Sequence, residues 1–142
     1  MQARVHVKGL EKAVKALESG RWALAMDAVV RRIAGEVLTR FQKTAPKKSG
    51  RLVASAYIVS PQAPTWLMKV DAPYAAVVEF GSRPHVILPR RARVLHFFVG
   101  GEEVFAKRVR HPGTKGQFII KKAIEYVGRR VKKIITEVLR NV

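Results

Sequence analysis

The side chains that could carry out chemistry are few and scattered along this sequence. Its four histidines are His6, His85, His96 and His111. No two of them stand four residues apart, as the ligands of a helical zinc site do. The chain has no cysteine, which excludes thiolate catalysis and the common structural zinc sites. Since it also lacks a Gly-x-Ser-x-Gly nucleophile motif and a glycine-rich phosphate loop, we predict neither a metal nor a cofactor.

Carboxylate chemistry has equally little support in the sequence. Hydrolysis by paired carboxylates needs two acids at one reacting centre, and metal-dependent nucleases need several acidic ligands. The chain has ten acidic residues, and only Asp71 and Glu79 lie in its middle, where nothing in their spacing brings them together. We therefore expect a protein without enzymatic activity.

The basic residues point instead to polyanionic partners. The formal net charge is +18, from 28 basic and ten acidic residues. Nucleic acid is the commonest partner of such a chain, an anionic membrane is the second, and an assembly that handles nucleic acid is the third. One arginine-rich connection supplies the candidate DNA-facing side chains, which are Arg83, Arg90, Arg91 and Arg93. A solvated basic loop explains these arginines equally well, and contact with phosphates alone would be non-specific.

Membrane segments are absent from the sequence pattern. No apolar run approaches the ~20 residues that cross a bilayer, and the first residues lack the apolar segment of a signal peptide. We therefore expect a chain that is cytosolic, or is assembled in the cytosol, and has no membrane partner.

Apolar periodicity predicts an α+β fold in a single domain over 1–142. Alternation predicts a short strand over 4–8, and three- and four-residue spacing predicts helices over 10–20, 21–43 and 117–140. The N-terminal helical part thus covers 10–43. Trp22 and Phe41 lie on the apolar stripe of the long helix, so core positions are expected for both.

The region 51–111 is predicted to be an antiparallel sheet of about four to five strands packed against two long helices. Strands over 52–59 and 65–71 form one hairpin in this prediction, and strands over 94–99 and 103–111 form a second one around Gly100-Gly101. Residues 74–80 fit either a strand or a short helix. Residues 81–93 are expected to be a long connection, because they contain two prolines.

Four segments, in their order and spacing, resemble the head–tail joining, or tail-completion, family of long-tailed bacteriophages and related proviruses, whose members are also described as minor tail components. The segments are A-P-K-K-S-G-R-L (45–52), Y-A-A-V-V-E-F-G-S (74–82), L-H-F (95–97) and H-P-G-T-K-G-Q-F (111–118). The family pattern reads roughly P-x-x-[TS]-G-x-L, then Y-A-x-x-V-E-[FY]-G-[TS], then H-P-G-x-x-x-x-x-F. Lys47 and Lys48 stand where many members carry an acidic or polar residue.

The resemblance implies a structural virion protein of the neck or tail, without enzymatic activity. Such proteins form a ring, commonly sixfold, between the connector and the tail-tube proteins, and DNA passes through the ring. A homo-oligomer with these partners is therefore expected. The alternative from another class is a stand-alone basic nucleic-acid-binding protein of a thermophile, which would bind DNA tightly as a monomer.

Within this resemblance, Glu79 is the carboxylate whose placement needs a reason, because it precedes Gly81 in an otherwise apolar run. Our hypothesis is that Glu79 accepts hydrogen bonds from the turn or pairs with an arginine, and so fixes the connection 82–93 for contact with a neighbouring subunit. A partly exposed turn acid is the alternative. Tyr74, Phe80 and Gly81 complete the candidates for subunit contact and loop anchoring.

Overall fold

The fold is that of a computed structural model, and it describes residues 18–140. The predicted strand over 4–8 and most of the predicted helix over 10–20 lie outside the described residues. None of the helices within 18–140 has the length and apolar character that a bilayer span requires.

The described chain is α+β, as predicted, with helices in its first and last parts and short strands between them. The helices are α1 (Arg21–Thr44), α2 (Arg51–Ala54), α3 (Ala75–Phe80), α4 (Ile119–Gly128) and α5 (Val131–Arg140). The strands are β1 (Ala56–Gln62), β2 (Thr65–Val70), β3 (Gly81–Ser82), β4 (His85–Ile87), β5 (Leu95–Val99), β6 (Glu102–Ala106), β7 (Val109–His111) and β8 (Thr114–Lys115).

The predicted single sheet of four to five strands packed on two helices is not confirmed. The strands pair as four separate two-stranded antiparallel ladders, namely β1–β2, β3–β8, β4–β7 and β5–β6. Strands of two or three residues, such as β3 and β4, form too few ladder hydrogen bonds to extend a sheet sideways.

Contacts along the chain divide it into two compact units. One, here called the helical unit, contains the described residues up to Ala72 and those from Ile119 onward. The other, here called the ribbon unit, is Pro73–Phe118. The prediction of one domain over 1–142 stays a prediction.

The core of the helical unit forms where α1 packs against α4 and α5 on one side and against β1 and β2 on another. Its most deeply buried side chains include Val29 and Phe41 of α1, Val127 of α4 and Ile134 of α5. The core position of Phe41 is confirmed, whereas Trp22 is 47% exposed, so its predicted core position is wrong. Helical spacing defines a face of a helix but not how far along the helix that face is covered.

The predicted C-terminal helix over 117–140 is two helices, α4 and α5, with a turn at Arg129 and Arg130. The backbone N–H of Arg130 donates to the carbonyl oxygen of Val127 at 2.8 Å, three residues back, in place of the usual four. Gly128 precedes this turn, and glycine is a weak helix former because it loses the most backbone freedom.

The first predicted hairpin is shifted along the chain. Residues 51–54 form the short helix α2, and the strand begins at Ala56 in place of residue 52. Ser55 makes the change of direction, because its hydroxyl donates to the carbonyl of Leu52 at 3.0 Å and accepts the N–H of Ala72 at 3.2 Å. The returning strand β2 lies where 65–71 was predicted.

Tyr57 of β1 is linked to Asp71, which follows β2, and this contact gives a testable pH dependence. The phenol donates a hydrogen bond to the Asp71 carboxylate, and this bond is the main reason why the pKa of Tyr57 is raised above its usual 10.0. Because the protonated phenol is the stabilised form, the contact stabilises the fold below about pH 10 and is lost as the pH rises through the pKa of Tyr57 in the folded protein.

We expect Asp71→Ala to lower the pKa of Tyr57 toward its usual value, because the acceptor and its negative charge are both removed. The measurement is an NMR or ultraviolet titration, with Tyr57→Phe identifying the contribution of Tyr57. An unchanged Tyr57 titration in Asp71→Ala would contradict the assignment.

Candidate functional site

The ribbon unit is one long antiparallel hairpin with interruptions. Gly81 pairs with Lys115, His85 with His111, and Leu95 with Ala106, so β3–β8, β4–β7 and β5–β6 follow one another along the same two chain segments. The predicted connection 81–93 therefore contains two strands, and the predicted strand 103–111 is broken into β6 and β7. The Gly100-Gly101 turn at the far end is confirmed, with positive φ at both glycines.

At the base of the ribbon, three glycines let two backbone segments touch; we call Gly81, Gly113 and Gly116 the glycine clasp. A Cβ on Gly81 would overlap the carbonyl oxygen of Thr114, and a Cβ on Gly113 would overlap that of Ser82. A Cβ on Gly116 would lie 2.6 Å from the carbonyl carbon of Phe80. The segments V-E-F-G-S and H-P-G-T-K-G, which are far apart in the sequence, therefore require glycine where they meet.

The residues that directly follow the clasp cap the C-terminal end of α3. The N–H groups of Gln117 and Phe118 donate to the carbonyl oxygens of Val78 and Glu79 at 2.9 and 3.0 Å. These are among the last carbonyl groups of the helix, for which the helix itself supplies no N–H donor. The side chain of Glu79 is 6% exposed, and it is the one buried charged side chain among residues 18–140. The alternative of a partly exposed turn acid is therefore wrong, and the anchoring role of Glu79 stays a prediction.

The other two anchoring candidates lie closer to solvent. The carbonyl of Tyr74 accepts the N–H of Val78 at 3.0 Å in the first turn of α3, and its side chain is 38% exposed. Phe80 is 72% exposed although it directly follows the buried Glu79. The Phe80 side chain therefore faces solvent, whereas Glu79 is buried and Gly81 is required by the close backbone approach.

The predicted DNA-facing arginines lie on the ribbon but not all in one place. Residues 88–94 form a bulge between β4 and β5, and the facing strand passes it with only Lys107 and Arg108. Arg90, Arg91 and Arg93 lie on this bulge and are exposed, as are the two facing basic residues. Arg83 lies one short strand away, between β3 and β4. Within the described residues, none of the four arginines takes part in an ion pair.

Two histidines meet in the middle of the ribbon. His85 and His111 face each other across β4 and β7, with ring centroids 5.0 Å apart. His111 Nδ1 accepts the N–H of Gly113 at 3.0 Å, and His85 Nδ1 is 2.8 Å from the carbonyl oxygen of Arg83. Within residues 18–140, no group of three or more potential metal ligands accompanies them.

The far end of the ribbon, here called the hairpin tip (95–106), exposes aromatic side chains next to carboxylates. His96, Phe98, Glu103 and Phe105 share one face, because they form two neighbouring cross-strand pairs. Phe98 is 66% exposed and Phe105 is 61% exposed. His96 stacks on Phe105 at a centroid distance of 4.7 Å, and its Nε2 lies 2.6 Å from Glu103 Oε1. The carboxylate of Glu103 is thereby held in place.

The helical unit contains a groove of about 750 Å³ along α1, here called the α1 groove. Ile58 of β1 and Tyr126 and Arg130 of the α4–α5 region line it together with one face of α1. The α1 residues are Leu24, Asp27, Ala28, Arg31, Arg32, Gly35, Glu36, Thr39, Arg40 and Lys43. Its lining carries five basic and two acidic side chains, so the groove has an excess of positive charge.

Both acids of the α1 groove are already engaged. Glu36 pairs with Arg32 and Arg130, each at 3.2 Å. Asp27 accepts the indole N–H of Trp66 at 2.8 Å. These contacts hold the groove walls in place but leave three of its five cations without an acidic partner among the described residues.

The remaining cations of the groove are Arg31, Arg40 and Lys43. The guanidinium of Arg31 lies 5.4 Å from the ring centroid of Trp66, and that of Arg40 lies 4.1 Å from that of Tyr126. Cation–π contacts orient an arginine without neutralising it. The groove can therefore bind carboxylates or phosphates, and Arg40 already lies over the ring of Tyr126, the one aromatic residue in its lining.

Sequence reasoning missed the α1 groove and the glycine clasp. The groove arginines were visible only as basic residues off the apolar stripe of α1, a pattern that a solvated face also gives. The clasp had a signal in the repeated glycines of H-P-G-T-K-G, but the partner segment of each glycine is a tertiary feature.

Comparisons with protein-family models, with curated proteins and with solved structures find no match for this chain.

Proposed function

We propose that this protein is a structural component of the neck or tail of a tailed phage or provirus, a subunit of a ring at the head–tail junction through which DNA passes. In this role it catalyses no reaction. Its partners are copies of itself, commonly six, and the connector and tail-tube proteins on either side.

The observation that carries the proposal is the exposed apolar surface of the ribbon unit. Phe80, Leu88, Phe98 and Phe105 are each more than 60% exposed, although large apolar side chains favour burial. Phe98 and Phe105 both lie against the ring of His96 on one face of the hairpin tip, and an exposed apolar patch on a small protein marks a surface that binds other macromolecules. Glu103 lies opposite Phe98 and Glu102 lies opposite Val99, and carboxylates there favour a protein partner over the phosphates of DNA.

Contact with DNA remains part of the proposal through the bulge 88–94 and Arg83. Five basic side chains around the bulge offer a sequence-independent attraction for phosphate. In a ring, such a cluster repeats with each subunit, and its charge would guide DNA without reading its sequence.

The second candidate is a stand-alone basic nucleic-acid-binding protein of a thermophile. The net charge of +18 is the observation that favours it. It requires tight, strongly salt-dependent binding by the monomer, because few other contacts would supply affinity.

One experiment separates the two candidates. Light scattering after size-exclusion chromatography, at low and at high salt, measures the mass of the purified chain, and the same samples are titrated with duplex DNA. We expect a discrete ring-sized oligomer that binds DNA weakly. A stable monomer that binds DNA tightly at low salt would overturn the neck proposal in favour of the second candidate.

A further inference from the structure

The hairpin tip and the α1 groove have complementary charge and apolar character. The tip carries Glu102 and Glu103, the only two consecutive acidic residues in a chain with ten acids and 28 bases. The α1 groove carries three cations without a described acidic partner. An acidic surface is therefore rare on this protein, and its most concentrated one lies at the end of the ribbon hairpin.

Apolar groups accompany the charges on both surfaces. On the tip, Phe98 and Val99 are 66% and 58% exposed. In the groove, Leu24 is 72% exposed, Ala28 lies one helical turn further along α1, and Ile58 of β1 is a third apolar residue of the lining. Burying these side chains against each other would remove apolar area from water, which favours the contact. A nucleic-acid backbone offers no apolar group for this end of the groove.

The spacing of the charges also agrees. Glu102 and Glu103 are consecutive in a strand, so their side chains point to opposite faces of the hairpin. Arg31 and Arg40 are nine positions apart on α1, which places their Cα atoms about 13 Å apart along the helix axis and on opposite sides of it, and both side chains reach the groove lining. Two carboxylates that diverge from one strand can therefore each meet a different arginine. The groove volume of about 750 Å³ accommodates the end of the hairpin rather than its whole length.

We propose that the hairpin tip of one copy docks in the α1 groove of a second copy. Glu102 pairs with one of Arg31 and Arg40, and Glu103, whose Oε1 already contacts His96, pairs with the other through Oε2. Phe98 packs on Leu24 and Ile58. Because the two surfaces differ, the contact is head-to-tail, and repeating it generates a closed ring when the rotation per subunit allows. This inference rests on the proposed ring and identifies the surfaces that build it.

The test uses two charge-reversed full-length variants. The tip variant is Glu102→Arg with Glu103→Arg, and the groove variant is Arg31→Glu with Arg40→Glu. Each places like charges across the contact, so the concentration at which the chain is half-assembled is expected to rise by about a hundredfold or more. Mixed in equal amounts, the two variants are expected to assemble again, because each unaltered surface and each reversed surface finds its complement on the other variant.

Two matched controls change the charge equally at exposed positions outside both surfaces. Lys47→Glu with Lys48→Glu matches the groove variant, and Glu18→Arg with Glu125→Arg matches the tip variant; neither is expected to prevent assembly. Circular dichroism and thermal unfolding confirm that every variant is folded. Light scattering measures assembly, and higher salt is expected to weaken it, because exposed charge pairs are screened.

The outcomes separate this contact from the ring itself. Variants that assemble as well as the unaltered protein, or a mixture that stays monomeric, would overturn the docking contact while leaving the ring standing. An unaltered protein that is monomeric at every concentration would overturn the ring and this contact together.

Discussion

Replacing Gly81 with alanine is expected to unfold the ribbon unit or to lower its stability by about 3–5 kcal/mol. Gly81 has φ 81° and ψ −173°, a backbone conformation that residues other than glycine rarely adopt. Forcing another residue into it costs about 1–3 kcal/mol. The added Cβ would also overlap the carbonyl oxygen of Thr114, and forced overlap in a packed region costs a further 1–3 kcal/mol or so. The overlap can be relieved only if β3 and β8 move apart.

Gly100→Ala is the matched control for this prediction. Gly100 also has positive φ, at 61°, but a Cβ there meets no atom within 4 Å. Its expected cost is therefore the conformational part alone, about 1–2 kcal/mol. Amide hydrogen exchange across 73–118, together with denaturant unfolding, measures both variants. Equal losses in Gly81→Ala and Gly100→Ala would show that the close backbone approach at the clasp contributes nothing.

The contrast between these two glycines shows what the sequence could and could not predict about the ribbon. The turn at Gly100-Gly101 follows from local chemistry, because a two-glycine turn between alternating segments favours a hairpin. The pairing of Gly81 with Lys115 joins residues that are 34 positions apart through a strand of only two residues on each side. A strand so short has no periodicity, so its partner could not be inferred.

The same limit applies to the helical unit. The long helix α1 was predictable, since its apolar residues repeat over six turns or so. The α1 groove was not, because its organising contacts join distant positions: Arg130 donates to Glu36 across 94 residues, and Trp66 donates to Asp27 across 39. From the sequence alone, Asp27, Glu36 and Arg130 are each compatible with a solvated surface. Only tertiary packing brings them together in the lining of one groove.

The candidate site shows the same division between local and tertiary information. Glu79 and Gly81 could be singled out because a carboxylate and a glycine interrupt an apolar run. Their partners in 113–118 could not be assigned, since contact between backbones depends on the path of the chain. The four arginines were identified as one connection, whereas the fold places three of them on a bulge opposite Lys107 and Arg108.

The helical unit provides the second prediction with a large effect, a comparison of two aromatic residues on one helix. Phe41 is 2% exposed, and Trp22 is 47% exposed, although both fit the apolar stripe of α1. Phe41→Ala is expected to destabilise the protein by about 3–5 kcal/mol, because it removes a buried ring and leaves a cavity between α1 and its neighbours.

Trp22→Ala is expected to cost only about 1–2 kcal/mol, from the part of the indole that is covered. The larger side chain should thus give the smaller effect, which is the reverse of what a count of removed atoms predicts. Denaturant unfolding of both variants measures the difference, and an unchanged dependence on denaturant concentration would confirm that the same transition is compared. A greater loss for Trp22→Ala would mean that the start of α1 is covered in solution, and the assignment of the core to the contact of α1 with α4 and α5 would then be wrong.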